Sequence, residues 1–409
     1  MTKYSIRLFS IFLFVGLMCS DFIAFAKVNT LKELLMAKVG AEQMKDYLPR
    51  LKNKKVALLI NQTSVVFGKN LLLDTLMGSG VNVVKIFVPE HGFRGTADAG
   101  AHIKNDIDAK TGLPVISLYG KNKKPTAEQM KDVDVLVYDL QDVGVRFYTY
   151  ISTLEYAMDA CIENDKELII LDRPNPNWQM VDGPVLDTAF LSFVGMQPVP
   201  VVYGMTVGEY AAMLVGEQWI RNASSLRFTV IPCKDYHPGY RPGERRAEEI
   251  NYLEYEIRIA PSPNLKTKRA INSYPSLCFF EGTIVSVGRG TDDPFEQWGH
   301  PDYKGKLPYS FVPKSTVGAT KPLLENQVCY GEKIRNEHVG VNVSYLIKAY
   351  QLSPQKDKFF NPFFEKLAGT KLLRQQIIDG KSEAEIRASW QPELDKFKKI
   401  RKKYLLYED

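Results

Sequence analysis

Short apolar runs, each followed by a burst of polar residues, recur five times in the first half of the chain. They lie at residues 56–60, 83–88, 115–118, 133–138 and 168–171. The runs consist mostly of Val, Ile, Leu and Phe, without the strict polar alternation of a half-exposed strand. Such continuous runs are typical of strands buried on both faces. The sequence therefore predicts a parallel sheet.

Helical patterns lie between these runs, at residues 71–77, 127–131 and 152–164. The last of them carries an apolar face with helical spacing. Alternation of strand and helix predicts a doubly wound, Rossmann-like α/β layer. In open parallel sheets, ligands bind beyond the carboxyl ends of the strands, where the polar bursts lie. We therefore expect these bursts to form one site.

The pattern changes after residue 199. We predict a helix at 206–219, a strand at 226–231, an irregular stretch that runs through 261–275, a strand at 282–287 and a helical tail from about 341. Capping boxes are predicted where Ser or Thr precedes Glu or Gln by three positions, beginning at Thr126, Thr206 and Ser382. The expected organisation is a leader at 1–26, a Rossmann-like domain at 27–199 and a smaller α/β domain at 200–409.

Composition and motifs exclude several classes of partner and cofactor. The 409 residues are 45% hydrophobic and carry a net charge of +6, which is ordinary for a soluble globular protein. The basic run 398–403 is typical of a solvated helix face, so no nucleic-acid partner is expected. The chain lacks a G-x-G-x-x-G motif after its first strand and lacks a P-loop. The five histidines have no zinc-binding spacing, so we expect neither a cofactor nor a metal.

The first 26 residues have the pattern of a secretory leader. Two basic residues precede the apolar stretch 8–17, and Ala24-Phe25-Ala26 is a cleavage signal. We expect a mature chain that begins near Lys27 and is exported to the periplasm or secreted, without stable membrane insertion. The four later cysteines are widely spaced, which favours buried reduced thiols over a disulfide framework.

Glu90 is the first candidate for chemistry. It follows the run 83–88, and a carboxyl beside apolar residues has a raised pKa, which suits a general acid at neutral pH. Arg94 lies four residues further on and would favour the charged form of the carboxyl. A loop ion pair between Glu90 and Arg94 is therefore the alternative interpretation.

The densest burst of polar residues occupies 139–150. Carboxylates and amides can bind sugar hydroxyls, and aromatic rings stack on sugar faces. The alternative is helix capping, because the segment leads into the predicted helix 152–164. Capping would occupy one acid and not the whole set. The candidates in this burst are Asp139, Gln141, Asp142, Arg146, Tyr148 and Tyr150.

Further candidates lie in the other polar bursts and in the second half. Asp172 and Arg173 follow the fifth run, where an ordering ion pair and a ligand contact are both compatible with the sequence. Glu281 precedes the predicted strand 282–287 among apolar neighbours, and Arg289 lies between two glycines. The remaining candidates for substrate binding are Asn61, His91, Asn175, Tyr203 and Asn264.

Nucleophile signatures are missing from the chain. There is no G-x-S-x-G elbow, and no cysteine lies in a recognisable reactive setting. The chemistry that remains is that of carboxylates in a polar, aromatic cleft. Two carboxyl groups that flank a bond are the usual arrangement for glycoside hydrolysis.

Several motifs of this chain occur together in one family. They are PEHGFRG at 89–95, D-x-QD-x-G-x-R-x-Y-x-Y at 139–150, LDRPNP at 171–176, SYP at 273–275, EGT at 281–283, RGT at 289–291 and YLLY at 404–407. The first three, in this order, are specific. The chain resembles, over nearly all of its length after the leader, the NamZ-type exo-β-N-acetylmuramidase family of peptidoglycan hydrolases.

The resemblance implies that N-acetylmuramic acid is released from the non-reducing end of peptidoglycan fragments, with muropeptides or disaccharides as substrates. It also implies that the site lies in a cleft between the two domains. Glu90 becomes the expected catalytic acid, and Asp139, Asp142 and Glu281 compete for the second catalytic role. The lactyl carboxylate of the substrate is expected to pair with an arginine, because a guanidinium can bind it through two hydrogen bonds. The candidates are Arg94, Arg146 and Arg289.

A non-catalytic module that only binds cell-wall sugars is the alternative function. The two functions differ at Glu90, because a binding module would tolerate Glu90→Gln whereas an acid catalyst would lose orders of magnitude in rate. An esterase or amidase acting on the same polymer is disfavoured by the missing nucleophile elbow.

Overall fold

A computed structural model describes residues 37–68, 70–89, 106–120, 122–236, 259–335 and 340–407. Its strands within these ranges are β1 (Val56–Ile60), β2 (Val65–Val66), β3 (Asn70–Leu71), β4 (Val83–Val88), β5 (Asp106–Ile107), β6 (Pro114–Ser117), β7 (Val135–Asp139), β8 (Glu167–Leu171), β9 (Phe228–Ile231), β10 (Gln297–His300), β11 (Tyr309–Phe311) and β12 (Cys329–Lys333). Two antiparallel sheets are small: the hairpin β2-β3 and the three-stranded sheet β10-β12-β11.

The central sheet of the described chain has seven strands in the order β5-β6-β4-β1-β7-β8-β9. Every neighbouring pair is parallel except β5 with β6. The chain moves outward from β1 through β4 to β6, and then returns to β7 on the other side of β1. This is the strand order of a Rossmann-like, doubly wound fold, with the topological switch point between β1 and β7. The predicted fold class is confirmed.

The α-helices of the described residues surround this sheet and form part of the second half. They are α1 (Met44–Leu51), α2 (Leu72–Gly78), α3 (Ala127–Met130), α4 (Tyr150–Glu163), α5 (Val207–Gly216), α6 (Lys268–Leu277), α7 (Ser344–Leu352), α8 (Phe364–Ala368), α9 (Leu372–Ile378) and α10 (Glu383–Arg401). Short 3-10 helices lie at Gly40–Glu42, Thr188–Phe190, Ala223–Ser225, Cys278–Gly282, Pro301–Tyr303 and Lys356–Lys358. No helix in the described ranges is both long and apolar enough to span a bilayer.

Both faces of the central sheet are buried, as the continuous apolar runs predict. On β1, Leu58 and Ile60 face a cluster that α1 and α2 cover. Ala57 and Leu59 face the opposite cluster, which continues through the second half as far as Phe397. The two halves of the chain therefore share one large apolar core.

The predicted elements of the first half agree with the structure to within two residues, and the three predicted capping boxes are present. The predicted strand 282–287 is wrong. A 3-10 helix ends at Gly282, and beyond it Thr283 and Ser286 form only isolated bridges. The stretch through 261–275 is not irregular throughout, because α6 occupies its last part.

The division expected between residues 199 and 200 stays a prediction. Strand β9 lies beyond it in sequence but belongs to the central sheet, beside β8. The second half begins to build its own small sheet at β10. The predicted leader, residues 1–26, lies outside the described residues.

Candidate active site

The carboxyl ends of β1, β7 and β8 bring most of the predicted site residues of the first half together. Asn61 directly follows β1, Asp139 ends β7, and Asp172 directly follows β8. These three strands are neighbours in the sheet, and the switch point lies between the first two. Strand β4 ends at Val88 on the other side of β1. The candidates that follow it, Glu90, His91 and Arg94, lie outside the described residues.

Asn61 is fully buried and connects two of these strand ends. Its Oδ1 accepts hydrogen bonds from the backbone nitrogen (2.9 Å) and hydroxyl (2.6 Å) of Thr63. Its Nδ2 donates to the hydroxyl of Tyr150 at 2.7 Å. The Thr63 hydroxyl in turn accepts from the backbone nitrogen of Gln141 at 3.1 Å. The loop after β1 is therefore held against the segment that follows β7.

Asp139 and Arg173 form a buried ion pair across adjacent strand ends. Nε of Arg173 lies 2.5 Å from Oδ1 of Asp139, and Nη2 lies 2.9 Å from Oδ2. Both side chains are almost completely buried. The sequence predicted an ordering ion pair between Asp172 and Arg173, but the acid that pairs with Arg173 is Asp139, on the neighbouring strand end. Asp139 thus has both carboxylate oxygens occupied.

Asp172 is a buried junction between β8, helix α5 and the tail. Its Oδ1 accepts from the backbone nitrogen of Gly208 at 2.9 Å, and its Oδ2 accepts from the hydroxyls of Thr206 and Tyr407, each at 2.7 Å. Tyr407 also accepts from the backbone nitrogen of Cys233 at 2.8 Å. These contacts give Asp172 a structural role, and its predicted contact with a ligand stays a prediction.

Asp142 is the acid of the 139–150 burst that keeps an unused oxygen. Its Oδ1 accepts from the backbone nitrogen of Gly144 at 2.6 Å and from the hydroxyl of Tyr203 at 2.5 Å. Its Oδ2 is buried without a hydrogen-bond partner in the described structure, and so is Oε1 of Gln141. Burial raises the pKa of Asp142 to about 7, although the bonds from Tyr203 and the backbone lower it.

The alternative interpretation of this burst as a helix cap is wrong. The residue that precedes α4 is Thr149, and no side chain caps that helix end. Gly144 instead explains part of the local conformation, with φ of 72°. A Cβ atom there would lie 1.9 Å from Oδ1 of Asn175, so only glycine fits. Asn175 also donates to the carbonyl of Met205 at 2.8 Å, which makes it a support for this loop.

Arg146 is fully buried and connects the two halves of the chain. Its Nη1 donates to the carbonyls of Pro184 and Val199, each at 2.8 Å. Its Nη2 donates to those of Leu367 and Ala368, at 2.8 and 2.9 Å. Burial lowers its pKa to about 9, so the side chain remains charged at neutral pH. With no exposed surface and both Nη groups occupied, Arg146 has a structural role instead of the predicted carboxylate contact.

Tyr148 and Tyr150 bring the segment around Pro261 to the strand ends. The carbonyl of Pro261 accepts from their hydroxyls at 2.8 and 3.3 Å, and from Nε2 of Gln62 at 3.2 Å. Asn264, in the same segment, donates to the carbonyl of Gly318 at 2.8 Å. The polar burst of the first half therefore packs directly against the second half.

Glu281 and Arg289 form a second, less buried ion pair. Nε of Arg289 lies 2.6 Å from Oε1 of Glu281, and the side chains are 22% and 26% exposed. Glu281 belongs to the 3-10 helix after α6 and not to a strand. The pair reaches the strand ends through aromatic rings, since Phe295 contacts Tyr274 and Tyr274 contacts Tyr148.

Several residues of the network escaped the sequence analysis. Gln62, Thr63 and Ser64 stand in the first polar burst, which is a signal that could have included them with Asn61. Glu155 is buried on α4, accepts from Gln197 at 2.6 Å, and has its pKa raised to about 7 by burial. Its helical spacing gives no sign of that environment.

The described residues contain no group of three or more His, Cys, Asp or Glu side chains placed to hold a metal ion. All four cysteines after the predicted leader are free and buried, as expected. Burial raises the pKa of the Cys278 thiol, which makes it a poor nucleophile. The chemistry available at the strand ends is therefore that of carboxyl, amide and phenol groups.

Comparisons with known proteins cover nearly the whole described chain. A model of the N-terminal region of exo-β-N-acetylmuramidase NamZ matches residues 56–269, and a model of its C-terminal region matches residues 272–407. The peptidoglycan β-N-acetylmuramidase NamZ of Bacillus subtilis (strain 168) is 36% identical over 381 residues, which are 88% of this chain and 89% of that protein.

Solved structures agree with this similarity. A DUF1343 family protein from Bacteroides fragilis NCTC 9343 is 46% identical, with a TM-score of 0.81 over 91% of this chain and 99% of that chain. A second DUF1343 family protein from the same organism is 30% identical, with a TM-score of 0.76 over 91% of this chain and 100% of that chain.

Proposed function

The chain belongs to the exo-β-N-acetylmuramidase NamZ family, a family of glycosidases, and we propose that it releases N-acetylmuramic acid from the non-reducing end of peptidoglycan fragments. The observation that carries this proposal is the match of both family models, which together span residues 56–407 almost without a gap.

The position of the carboxyl groups supports glycosidic chemistry. Asp142 lies at the switch point of the sheet, where ligands of such folds bind, and one of its oxygens is unused. Glu90 follows β4, the neighbour of β1 on the opposite side of the switch point from β7. Hydrolysis of a glycosidic bond requires two carboxyl groups on opposite sides of that bond. We assign these two roles to Glu90 and Asp142, because they follow the two strands that lie on either side of β1.

In this mechanism Glu90 protonates the glycosidic oxygen as the bond to the leaving sugar breaks. The second carboxyl acts on the other face of the sugar ring, either as nucleophile or as the base that activates water. Asp142 is preferred over Asp139 for this role because Arg173 occupies both oxygens of Asp139. It is also preferred over Glu281, which is paired with Arg289 in the second half.

The proposed site of action is outside the cytoplasm. The leader pattern at residues 1–26 supports export to the periplasm or secretion, and peptidoglycan is an extracytoplasmic polymer. A fusion of residues 1–40 to a reporter that is active only after export would test this proposal. Reporter activity that survives deletion of residues 8–17 would contradict it.

The first experiment is hydrolysis of N-acetylmuramyl-β-1,4-N-acetylglucosamine by purified Lys27–Asp409, with the products resolved by mass. We expect both monosaccharides. The tetrasaccharide with the same repeat tests exo action, because an exo enzyme releases N-acetylmuramic acid and a trisaccharide first. Disaccharide products from the tetrasaccharide would contradict the exo assignment. Binding of the disaccharide without cleavage would favour the non-catalytic module.

Glu90→Gln tests the catalytic acid. The amide cannot donate the proton, so we expect kcat to fall by about 10²- to 10⁴-fold while the disaccharide still binds. The matched control is Glu128→Gln, since Glu128 is exposed on α3 and its substitution should leave kcat unchanged. A Glu90→Gln enzyme with nearly full activity would remove Glu90 from the role.

A further inference from the structure

We propose that Arg289 binds the lactyl carboxylate of the N-acetylmuramyl substrate and sets the preference of the enzyme for muramic acid over neutral amino sugars. This inference rests on the proposed function, because it assigns a substrate group to a residue of the same site. Three observations support it: the fixed orientation of the guanidinium, a guanidinium nitrogen that lacks a hydrogen-bond acceptor, and the aromatic contacts that connect Arg289 to the strand ends.

The loop that carries Arg289 has a fixed conformation. Gly288 and Gly290 flank it, with φ of 75° and 80°. A Cβ atom on Gly288 would lie 2.6 Å from the side chain of Gln297, and one on Gly290 would lie 2.3 Å from the carbonyl oxygen of Lys314. These positions accept only glycine. The backbone thus presents the arginine in one orientation.

Two contacts hold the guanidinium and leave one of its nitrogen atoms without an acceptor. Glu281 accepts from Nε at 2.6 Å, and the ring of Phe295 lies 4.9 Å from the central carbon of the guanidinium. Nη1 is buried and has no hydrogen-bond partner in the described parts of the chain. A buried N–H group without an acceptor is unfavourable. A carboxylate ligand would supply that acceptor and would fit the planar fork of the guanidinium.

A continuous row of aromatic rings connects Arg289 to the strand ends. The ring centroid of Phe295 lies 5.0 Å from that of Tyr274, which lies 6.1 Å from that of Tyr148. Tyr148 lies 4.6 Å from Tyr150, whose hydroxyl accepts from Asn61. Arg289 lies at the second-half end of this row, and Tyr148 and Tyr150 lie at the end beside the sheet.

Arg289 fits the role better than Arg146. Arg146 donates to four backbone carbonyls through its two Nη groups and has no exposed surface. Arg289 is partly exposed and makes one ion pair through Nε alone. The third candidate, Arg94, lies outside the described residues and is included in the test.

The test compares two substrates and measures the ratio of their kcat/KM values. One is N-acetylmuramyl-β-1,4-N-acetylglucosamine, and the other is the same disaccharide with its lactyl carboxyl converted to the neutral methyl amide. We expect the unmodified enzyme to prefer the carboxylate by about 100-fold. Arg289→Gln should remove this preference by lowering kcat/KM for the carboxylate while leaving that for the amide within about threefold.

Three further variants make the result specific. Arg289→Lys keeps the charge without the fork and should keep part of the preference, and it replaces Arg289→Gln if that variant fails to fold. Glu281→Gln removes the ion pair but keeps the guanidinium, so this variant should still prefer the carboxylate substrate over the methyl amide. Arg94→Gln should keep the full preference. Loss of the preference in Arg94→Gln, with retention in Arg289→Gln, would overturn the inference.

The outcomes separate this inference from the proposed function. An unmodified enzyme that cleaves neither disaccharide would contradict the proposed function itself. An unmodified enzyme that cleaves both at equal rates would leave the glycosidase assignment intact but would overturn the role of Arg289.

Discussion

Asp142 shows how a single residue at the strand ends combines stability with chemistry. Its carboxyl is fixed by Tyr203 and by the backbone of Gly144, yet its second oxygen has no partner in the described structure. A buried acceptor without a donor is destabilising, and such groups are retained mainly where function requires them. A protonated carboxyl would remove part of this cost, which agrees with the pKa of about 7 that burial produces.

The pKa of Asp142 predicts a dependence of stability on pH. In the folded chain the carboxyl binds its proton up to about pH 7, whereas in the unfolded chain it loses the proton near its ordinary pKa of 3.8. The folded state therefore binds more protons between these values, and the free energy of unfolding falls as the pH rises through this range. Asp142→Asn should remove this contribution.

Urea unfolding at pH 5 and pH 8 measures the difference. We expect the stability of Asp142→Asn relative to the unmodified chain to be greater at pH 8 than at pH 5, by about 1–3 kcal/mol, while its activity is lost. Asp357→Asn is the control, since Asp357 is exposed and its substitution should change stability by less than about 0.5 kcal/mol at either pH. An equal effect of Asp142→Asn at both pH values would exclude titration of this group as the cause.

The sequence predicts which residues lie at the strand ends. It does not predict which of these acids pairs with an arginine and which keeps an oxygen without a partner. A polar burst after an apolar run indicates position, because the carboxyl ends of parallel strands share one edge of the sheet. Which acid is neutralised depends on partners far away in sequence. Arg173 pairs with Asp139 across 34 positions, and Tyr203 reaches Asp142 across 61.

At the scale of elements, local signals were reliable and non-local ones were not. The first-half strands and the capping boxes depend on residues that are close in sequence, so the sequence pattern predicts them. Helix α6 was missed because Pro275 lies inside it. Proline removes the hydrogen bond to the carbonyl four positions earlier, and here Nδ2 of Asn177 donates to that carbonyl, on Ile271, at 3.3 Å. No local pattern reveals this substitute donor.

The strand expected at 282–287 failed for a related reason. Val285 and Val287 are buried, as in a strand, and Ile284 is half-buried. The backbone hydrogen bonds of this stretch, however, are made singly to separate parts of the second half. The nitrogen of Ile284 donates to the carbonyl of Phe359, and that of Ser286 donates to the carbonyl of Gly299. Hydrophobicity alone does not distinguish a buried irregular segment from a short buried strand.

The capping boxes of α5 and α10 predict that replacing the capping residue by alanine lowers the free energy of unfolding by different amounts. Thr206 and Ser382 each accept from the backbone nitrogen of the third helical residue. Ser382 is exposed, so Ser382→Ala should cost about 1 kcal/mol. Thr206 is buried and also donates to Asp172, so Thr206→Ala should cost about 2–3 kcal/mol. The midpoints of urea unfolding measure both. Equal costs would mean that the bond to Asp172 contributes nothing to stability.

At the scale of the whole molecule, Arg146 joins the sheet-bearing half to the helical second half. Two of its carbonyl partners, Pro184 and Val199, lie in the first half, and the other two end helix α8. The apolar core is likewise continuous across both halves. We therefore expect the two regions matched by separate family models to unfold as one cooperative unit.

Arg146→Met tests this coupling. The methionine fills part of the space but leaves four buried carbonyls without their donor, so the free energy of unfolding should fall by about 3–5 kcal/mol. Arg50→Met is the control, because the ion pair of Arg50 with Glu167 is largely exposed and should contribute less than about 1 kcal/mol. Circular dichroism and tryptophan fluorescence should report a single shared transition in the unmodified chain. Separate transitions there would contradict the coupling.

The bond between Tyr407 and Asp172 has a consequence for the order in which the chain is made. The two residues are 235 positions apart, so strand β8 leaves the ribosome long before its acid can acquire this donor. The backbone nitrogens of Leu406 and Tyr407 also donate to Glu209, another buried acid, which lies on α5. A growing chain therefore lacks these donors to Asp172 and Glu209 until its last segment emerges. Both carboxyls acquire their full set of hydrogen bonds only when the tail is present, so a truncation before residue 404 would remove these donors.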